Sequence, residues 1–248
     1  MNTKDLIAAE YSIKNSKNTT KLKGKDDYKA GHRKRVKEGF MYSANETSTD
    51  YELLEMILFL SHPRIDVKGI ARRMIEEFGT INGIFQNIDE DNEKWAKYGV
   101  NVAYILKLLK EILLRSLITK VKEDTVLSSW SSLVDYLMVR FGNLRQEQFS
   151  VLYLNATYKL LSVEQFGSGT IDESAVYVRE VIKEGLNLGA IYIVLCHNHF
   201  SGEVQPSEAD IILTNKVSES CRTVNITTLD HIIVSRDKYF SFKENALM

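Results

Sequence analysis

Between His32 and Lys122 the apolar positions return every three or four residues. Tyr51, Leu54, Ile57 and Leu58 form one such stripe, Ile70, Met74, Ile75 and Phe78 a second, and Ile105, Leu108, Leu109, Ile112 and Leu113 a third. That period predicts short helices packed as a bundle. Pro63 ends one of them, Gly79 stands where the next needs its cap, and Thr80 is suited to start another turn. A further amphipathic helix is predicted around Ser129 to Arg140. Beyond it the pattern shortens to strand-like runs at Phe149 to Leu154, Leu160 to Phe166, Ile191 to Cys196, Thr227 to Val234 and Tyr239 to Phe242. Helical stretches at Ser174 to Leu188 and Ser207 to Arg222 separate them. The expected organisation is a polar tail over residues 1–29, a small all-α domain over 30–124 and a mixed α/β domain over 125–248, with no internal repeat.

Charge changes this picture at one end only. The chain has 32 Lys and Arg against 33 Asp and Glu, yet residues 1–40 hold eleven basic and five acidic side chains. A basic N-terminal arm, with Lys21, Lys23 and Lys25 followed by Arg33 to Arg35, is therefore a candidate for weak DNA contact. No apolar run reaches the roughly 18–20 residues that span a bilayer, so no membrane association is expected and a cytoplasmic location is. Cys196 and Cys221 are the only cysteines. They are too few for a disulfide framework or a four-thiolate site, so a metal centre has to rest on His and carboxylates.

Such a set stands at the end of an apolar strand, Ile191-Tyr-Ile-Val-Leu-Cys-His197-Asn-His199. Residues two apart on extended backbone share a face, so both imidazoles can converge on one ion. Eleven residues on, Asp210 lies three positions after Ser207 and one helix turn away from it. Two nitrogens and a carboxylate suit Zn²⁺ with one position left for water. Taken singly, Ser207-x-x-Asp210 is a helix-capping box and His-x-His is more often incidental; their occurrence at one strand-to-helix crossing favours a metal site. A hydrolytic centre also needs a base that is not a ligand. Glu147, Glu164, Asp172, Glu173, Glu180 and Glu184 are available, and spacing alone does not choose among them; Glu147, opening the first strand, is the best placed. His231 reads either as a partner to a ligand or as hydrogen-bonded structure. Cys196 is expected to face away from the metal, and Trp95 and Trp130 to be packing residues.

The order Glu147, His197-Asn-His199, seven residues, Ser207-x-x-Asp210 resembles the JAMM signature of MPN-domain metallohydrolases. Within that superfamily HNHFSGEVQPSEAD is similar to the RadC-like group, and the likeness extends to Gly169-Thr170, Arg179-Glu180, Leu229 to Val234 and Tyr239 to Phe242. In the helical half it takes in His32 to Arg35, Glu52 to Leu54, Ala71 to Arg73 and Glu77 to Gly79. The resemblance implies a helix-hairpin-helix-like domain followed by an MPN domain of the JAB/cytidine-deaminase-like type. It implies His197, His199 and Asp210 as ligands of one Zn²⁺ per chain, Glu147 as the base acting on the bound water, and Ser207 as oxyanion stabiliser. The reaction implied is hydrolysis of a peptide or isopeptide bond in a peptide or protein substrate.

Two positions depart from the family pattern. Phe200 replaces a Pro after the second His, removing a fixed φ and adding an exposed or pocket-lining ring. Tyr98-Gly99-Val100-Asn101 stands where the family has a Gly-x-Gly hairpin; Asn visits left-handed backbone, which keeps that turn available. Two functions from different classes follow. One is a zinc metallopeptidase or related hydrolase. The other is a DNA-associated repair or recombination accessory protein in which the MPN domain is mainly a scaffold.

Overall fold

A computed structural model describes residues 27–42, 49–88, 92–168 and 174–248. The basic arm through Lys25, Gly169-Thr170, Asp172 and Glu173 lie outside the described residues. The chain forms two compact units, one ending at Met74 and one beginning at Ile75. Among the described residues, no helix is long and apolar enough to cross a membrane.

The first unit contains α1 (Asp27–Tyr42), α2 (Asp50–Ser61) and most of α3 (Lys68–Phe78). Thr49 and Glu52 cap α2 reciprocally: Thr49 Oγ1 accepts from the Glu52 amide and the Glu52 carboxylate accepts from the Thr49 amide. Leu54, Leu58 and Met74 of the predicted stripes are fully buried, together with Val67 and Ala71, while Tyr51, Ile57 and Ile70 are only half-buried. Two polar side chains of α1 are also spent inside this unit. His32 Nε2 meets the buried Glu55 carboxylate at 3.0 Å. Arg33 donates to the carbonyls of His62 (2.6 Å), Pro63 (2.9 Å) and Ile65, and lies over the Phe59 ring. These carbonyls follow the end of α2, where helical backbone leaves acceptors without partners.

The second unit begins with the end of α3, which Gly79 terminates at φ +79°, and with α4 (Ile81–Gln86), whose N-cap is Thr80. Next come α5 (Asn92–Ala96) and α6 (Val100–Glu123). Gly99, at φ +104°, makes the turn into α6. Asn101 lies in the first turn of α6, so the left-handed residue of this hairpin is the glycine and not the asparagine. Trp95 is buried and stacked on Phe78, and its indole donates to the Asn87 carbonyl.

After α7 (Trp130–Phe141) the chain runs β1 (Gln148–Leu154), β2 (Leu160–Ser168), α8 (Ser174–Leu188), β3 (Tyr192–Asn198), α9 (Glu208–Arg222), β4 (Thr227–Val234) and β5 (Tyr239–Ser241). The strands form one mixed sheet in the order β2-β1-β3-β4-β5, antiparallel throughout except for β3 beside β4. Alternation sorts the side chains onto two buried faces. Leu152, Leu154, Val194, Cys196, Ile232 and Val234 pack under α7 and the C-terminal half of α6. Phe149, Val151, Tyr153, Ile193 and Leu195 pack under α8 and α9. At Gly142 a Cβ would come within 2.3 Å of the Ser235 carbonyl, so a residue without one is needed where α7 closes on the end of β4.

Candidate metal centre

The apolar run of β3 ends in polar residues that are themselves buried, His197 and Asn198. His197 continues the Ile193 and Leu195 face, toward α9, and the His199 amide extends the ladder by donating to the Val234 carbonyl at 3.0 Å. Cys196 points to the other face, into the core beneath α7, where burial pushes its thiol far above the ordinary value. The loop that follows turns at Gly202, φ +88°, and drops the buried Val204 into a seat formed by Ile233, Phe240 and Phe242. Phe200 is 54% exposed beside the turn. Ser207 then caps α9 and delivers Asp210 to its first turn, where the helix dipole favours a carboxylate.

Ligand-type atoms of three residues converge. His197 Nε2 is 2.9 Å from His199 Nε2 and 3.1 Å from Asp210 Oδ1; His199 Nε2 is 3.4 Å from Asp210 Oδ2. The side chains of Asp210 and His197 are 1% and 4% exposed. Asp210 Oδ2 accepts from the Ser207 amide and from Ser207 Oγ, each at 2.7 Å. Asp210 Oδ1 makes no hydrogen bond: its approach to His197 is an ion-pair contact without hydrogen-bond geometry. An acceptor kept from water with no donor is costly unless something positive meets it. One ligand-type atom from each of the three residues lies within 4.8 Å of the other two, near enough for them to share one ion. The three residues therefore fit a divalent metal ion, and they can hold one.

The electrostatics agree with this arrangement. Burial alone would raise Asp210, but the two imidazoles and Ser207 hold its carboxyl far below the usual carboxylate range. The Asp210 carboxylate raises His199 above the ordinary histidine value, against burial, with the Glu203 carbonyl and the charge of Glu147 adding to the effect.

Glu147 sits one residue before β1. Phe149 pairs with His197 in the antiparallel β1–β3 register, which continued by one step past Gln148 sets Glu147 opposite His199. The loop carrying it is fastened by Asn198, the residue between the two histidines. Asn198 Oδ1 accepts from the Gln148 amide at 2.8 Å, and its Nδ2 donates to the carbonyls of Leu144 (3.1 Å) and Gln146 (3.2 Å). These bonds bracket Glu147 on both sides. The other described acids are placed differently. Glu164 on β2 is bonded by Ser162, Glu180 pairs with Lys183 at 3.1 Å on the surface of α8, and Glu184 takes a bond from Asn187 at 3.4 Å.

His231 lies behind the candidate ligands. Its Nε2 is 2.7 Å from His197 Nδ1, and its Nδ1 is 2.6 Å from Thr214 Oγ1. Burial pushes His231 well below the ordinary histidine value. Asp230 anchors this stretch by accepting from the His231 and Lys243 amides and from Ser241 Oγ. Thr214 and Asn198 were not singled out from the sequence. The one available cue for Thr214 was its position four residues after Asp210, on the same helix face.

Comparison with known proteins shows the family. The model of the RadC-like JAB domain matches residues 127–247. A UPF0758 protein of Ruegeria pomeroyi is 37% identical over 216 residues, covering 87% of this chain and 96% of the relative. The chain belongs to the RadC-like family. Its helical N-terminal region followed by a five-stranded mixed sheet with flanking helices is the architecture expected of a RadC-like protein with a JAB/MPN α/β domain. In this RadC-like chain the JAB-domain match contains all three candidate ligands, Glu147, Thr214 and His231.

Proposed function

We propose that this RadC-like protein is a zinc-dependent hydrolase that cleaves a peptide or isopeptide bond. The observation that carries the reading is the meeting of His197 Nε2, His199 Nε2 and the unbonded Asp210 Oδ1, with the charge of Glu147 acting on His199 from outside that set. His197, His199 and Asp210 would hold the cation, which supplies Lewis acidity toward water and the scissile carbonyl. Glu147 accepts a proton from the attacking water and returns it to the leaving nitrogen as the C–N bond breaks and the C–O bond forms. Asn198 keeps that carboxylate in place by fixing the loop on either side of it. Ser207 Oγ spends its proton on Asp210 Oδ2, so donation to a developing oxyanion requires the hydroxyl to turn toward substrate; the Ser207 amide keeps its own bond to Oδ2 throughout.

The test combines metal analysis with one isosteric variant. Wild-type protein purified without a His-tag is expected to carry about one zinc per chain, and His197→Ala none. Glu147→Gln is expected to keep its zinc and lose roughly a hundredfold or more of any activity found in a peptide and isopeptide screen. Zinc-loaded Glu147→Gln cleaving as fast as wild type, or folded wild type that takes up no zinc, overturns the proposal.

A further inference from the structure

His197 offers its Nε2 to the candidate metal position only if its single ring proton is on Nδ1. Which nitrogen carries that proton follows from the partners of the ring. Thr214 has one hydroxyl proton, and Oγ1 donates it to the Asp210 carbonyl at 2.6 Å within α9. The same oxygen, 2.6 Å from His231 Nδ1, is therefore left to accept, so His231 Nδ1 is the donor. His231 is completely buried, and its two ring nitrogens meet Thr214 and His197. With its one proton on Nδ1, its Nε2 has only a lone pair to present to His197 Nδ1 at 2.7 Å. His197 Nδ1 must then be the donor, and His197 Nε2 is left as a bare acceptor facing Asp210.

We propose that Thr214 and His231 are positioning residues that lock His197 in the Nδ1–H tautomer and hold its Nε2 lone pair on the metal position. The relay closes on Asp210 itself, because the acceptor of the Thr214 hydroxyl is the main-chain carbonyl of the residue whose side chain supplies the third ligand atom. One end of the network thus fixes a ligand nitrogen and the other fixes the helix turn that carries the ligand carboxylate. His199 reaches the same state by a shorter route, its Nδ1 lying 2.9 Å from the Glu203 carbonyl in the loop between the two ligand segments. Partners of this kind on ligand imidazoles set ring orientation and basicity.

This inference rests on the metal-site reading above, and its test separates the two. Imidazole ¹⁵N shifts in chelator-treated protein report the tautomer directly, and zinc affinity is measured by competition with a chromophoric chelator. In wild type, His197 is expected to show a protonated Nδ1 and an unprotonated Nε2. Thr214→Val removes the hydroxyl at nearly constant shape; it should mix the two tautomers and weaken zinc binding by roughly 10- to 100-fold. Thr214→Ser keeps the hydroxyl and should stay within about threefold of wild type, which controls for a folding defect in the valine variant. A protonated Nε2 on His197 in wild type, or unchanged zinc affinity in folded Thr214→Val, overturns the relay. If wild type has the expected tautomer but takes up no zinc, the lock stands and the hydrolase reading fails.

Discussion

Two polar clusters in this chain differ in whether they close. In the first unit, Arg33 meets the carbonyls of His62, Pro63 and Ile65, and His32 meets Glu55, so the charged groups are matched by partners within the fold. At the end of β3 the cluster stays open on one side. His197 and His199 have their Nδ1 atoms engaged, while their Nε2 atoms and the unbonded Asp210 Oδ1 face one another. Folding stabilises a closed cluster by itself, and an open one by whatever cation completes it. Function is thus read from the acceptors left over and not from the number of polar groups buried.

The largest expected effect breaks the open cluster. Asp210→Ala removes a ligand oxygen and the partner of Ser207, and zinc affinity should fall by roughly a thousandfold or more, read by elemental analysis and chelator competition. Metal retained at wild-type affinity in this variant would erase the contrast. Its counterpart in the closed cluster is Arg33→Ala. Losing the carbonyl bonds and the contact over Phe59 should cost about 2–3 kcal/mol of unfolding free energy in urea, with zinc content unchanged. A zinc loss in Arg33→Ala without unfolding would show that the two regions are not independent.

Much of this was legible in the sequence, for physical reasons that can be named. Periodicity located the helices and the sheet strands, because burial on two faces leaves runs such as Ile191 to Cys196 that few other structures tolerate. The His197, His199 and Asp210 spacing was readable because a strand end and a helix start are local geometries. Glu147 was favoured among several acids for opening the first strand and was given its role as base by family resemblance, since its place opposite His199 depends on the register between β1 and β3. The clasp made by Asn198 was not legible: it acts on a loop about fifty residues earlier in the chain, and no local pattern encodes such a partner. Arg33 misled in the other direction. Within His32-Arg-Lys-Arg35 it reads as part of a basic patch, but the carbonyls that take up its guanidinium come from a turn thirty residues away.

A smaller effect sharpens the comparison through pH. Asp210 is held so low that it stays charged across the working range, whereas His199 is raised and holds its proton to higher pH than a free histidine. A metal ion must displace that proton. Zinc affinity is therefore expected to fall by about tenfold per pH unit as the pH drops through the raised His199 value, and to level off above it. Titration with zinc between roughly pH 5 and 8 checks this. A flat profile would mean that His199 is not a ligand.

The smallest effect concerns an acid that spacing alone could not dismiss. Glu180 lies on α8 in the stretch before the histidine pair, and its carboxylate is 38% exposed and paired three residues on with Lys183, itself 61% exposed. Water screens such a pair, and its removal leaves no buried atom without a partner. Glu180→Gln should change unfolding free energy by no more than about 0.5 kcal/mol and leave zinc affinity and any hydrolytic rate where they were. Glu147→Gln is the same chemical change at a position opposite His199. If the two variants behaved alike, the placement of Glu147 by β1 and Asn198 would have no bearing on chemistry; a rate lost in one and kept in the other ties the base to the strand register.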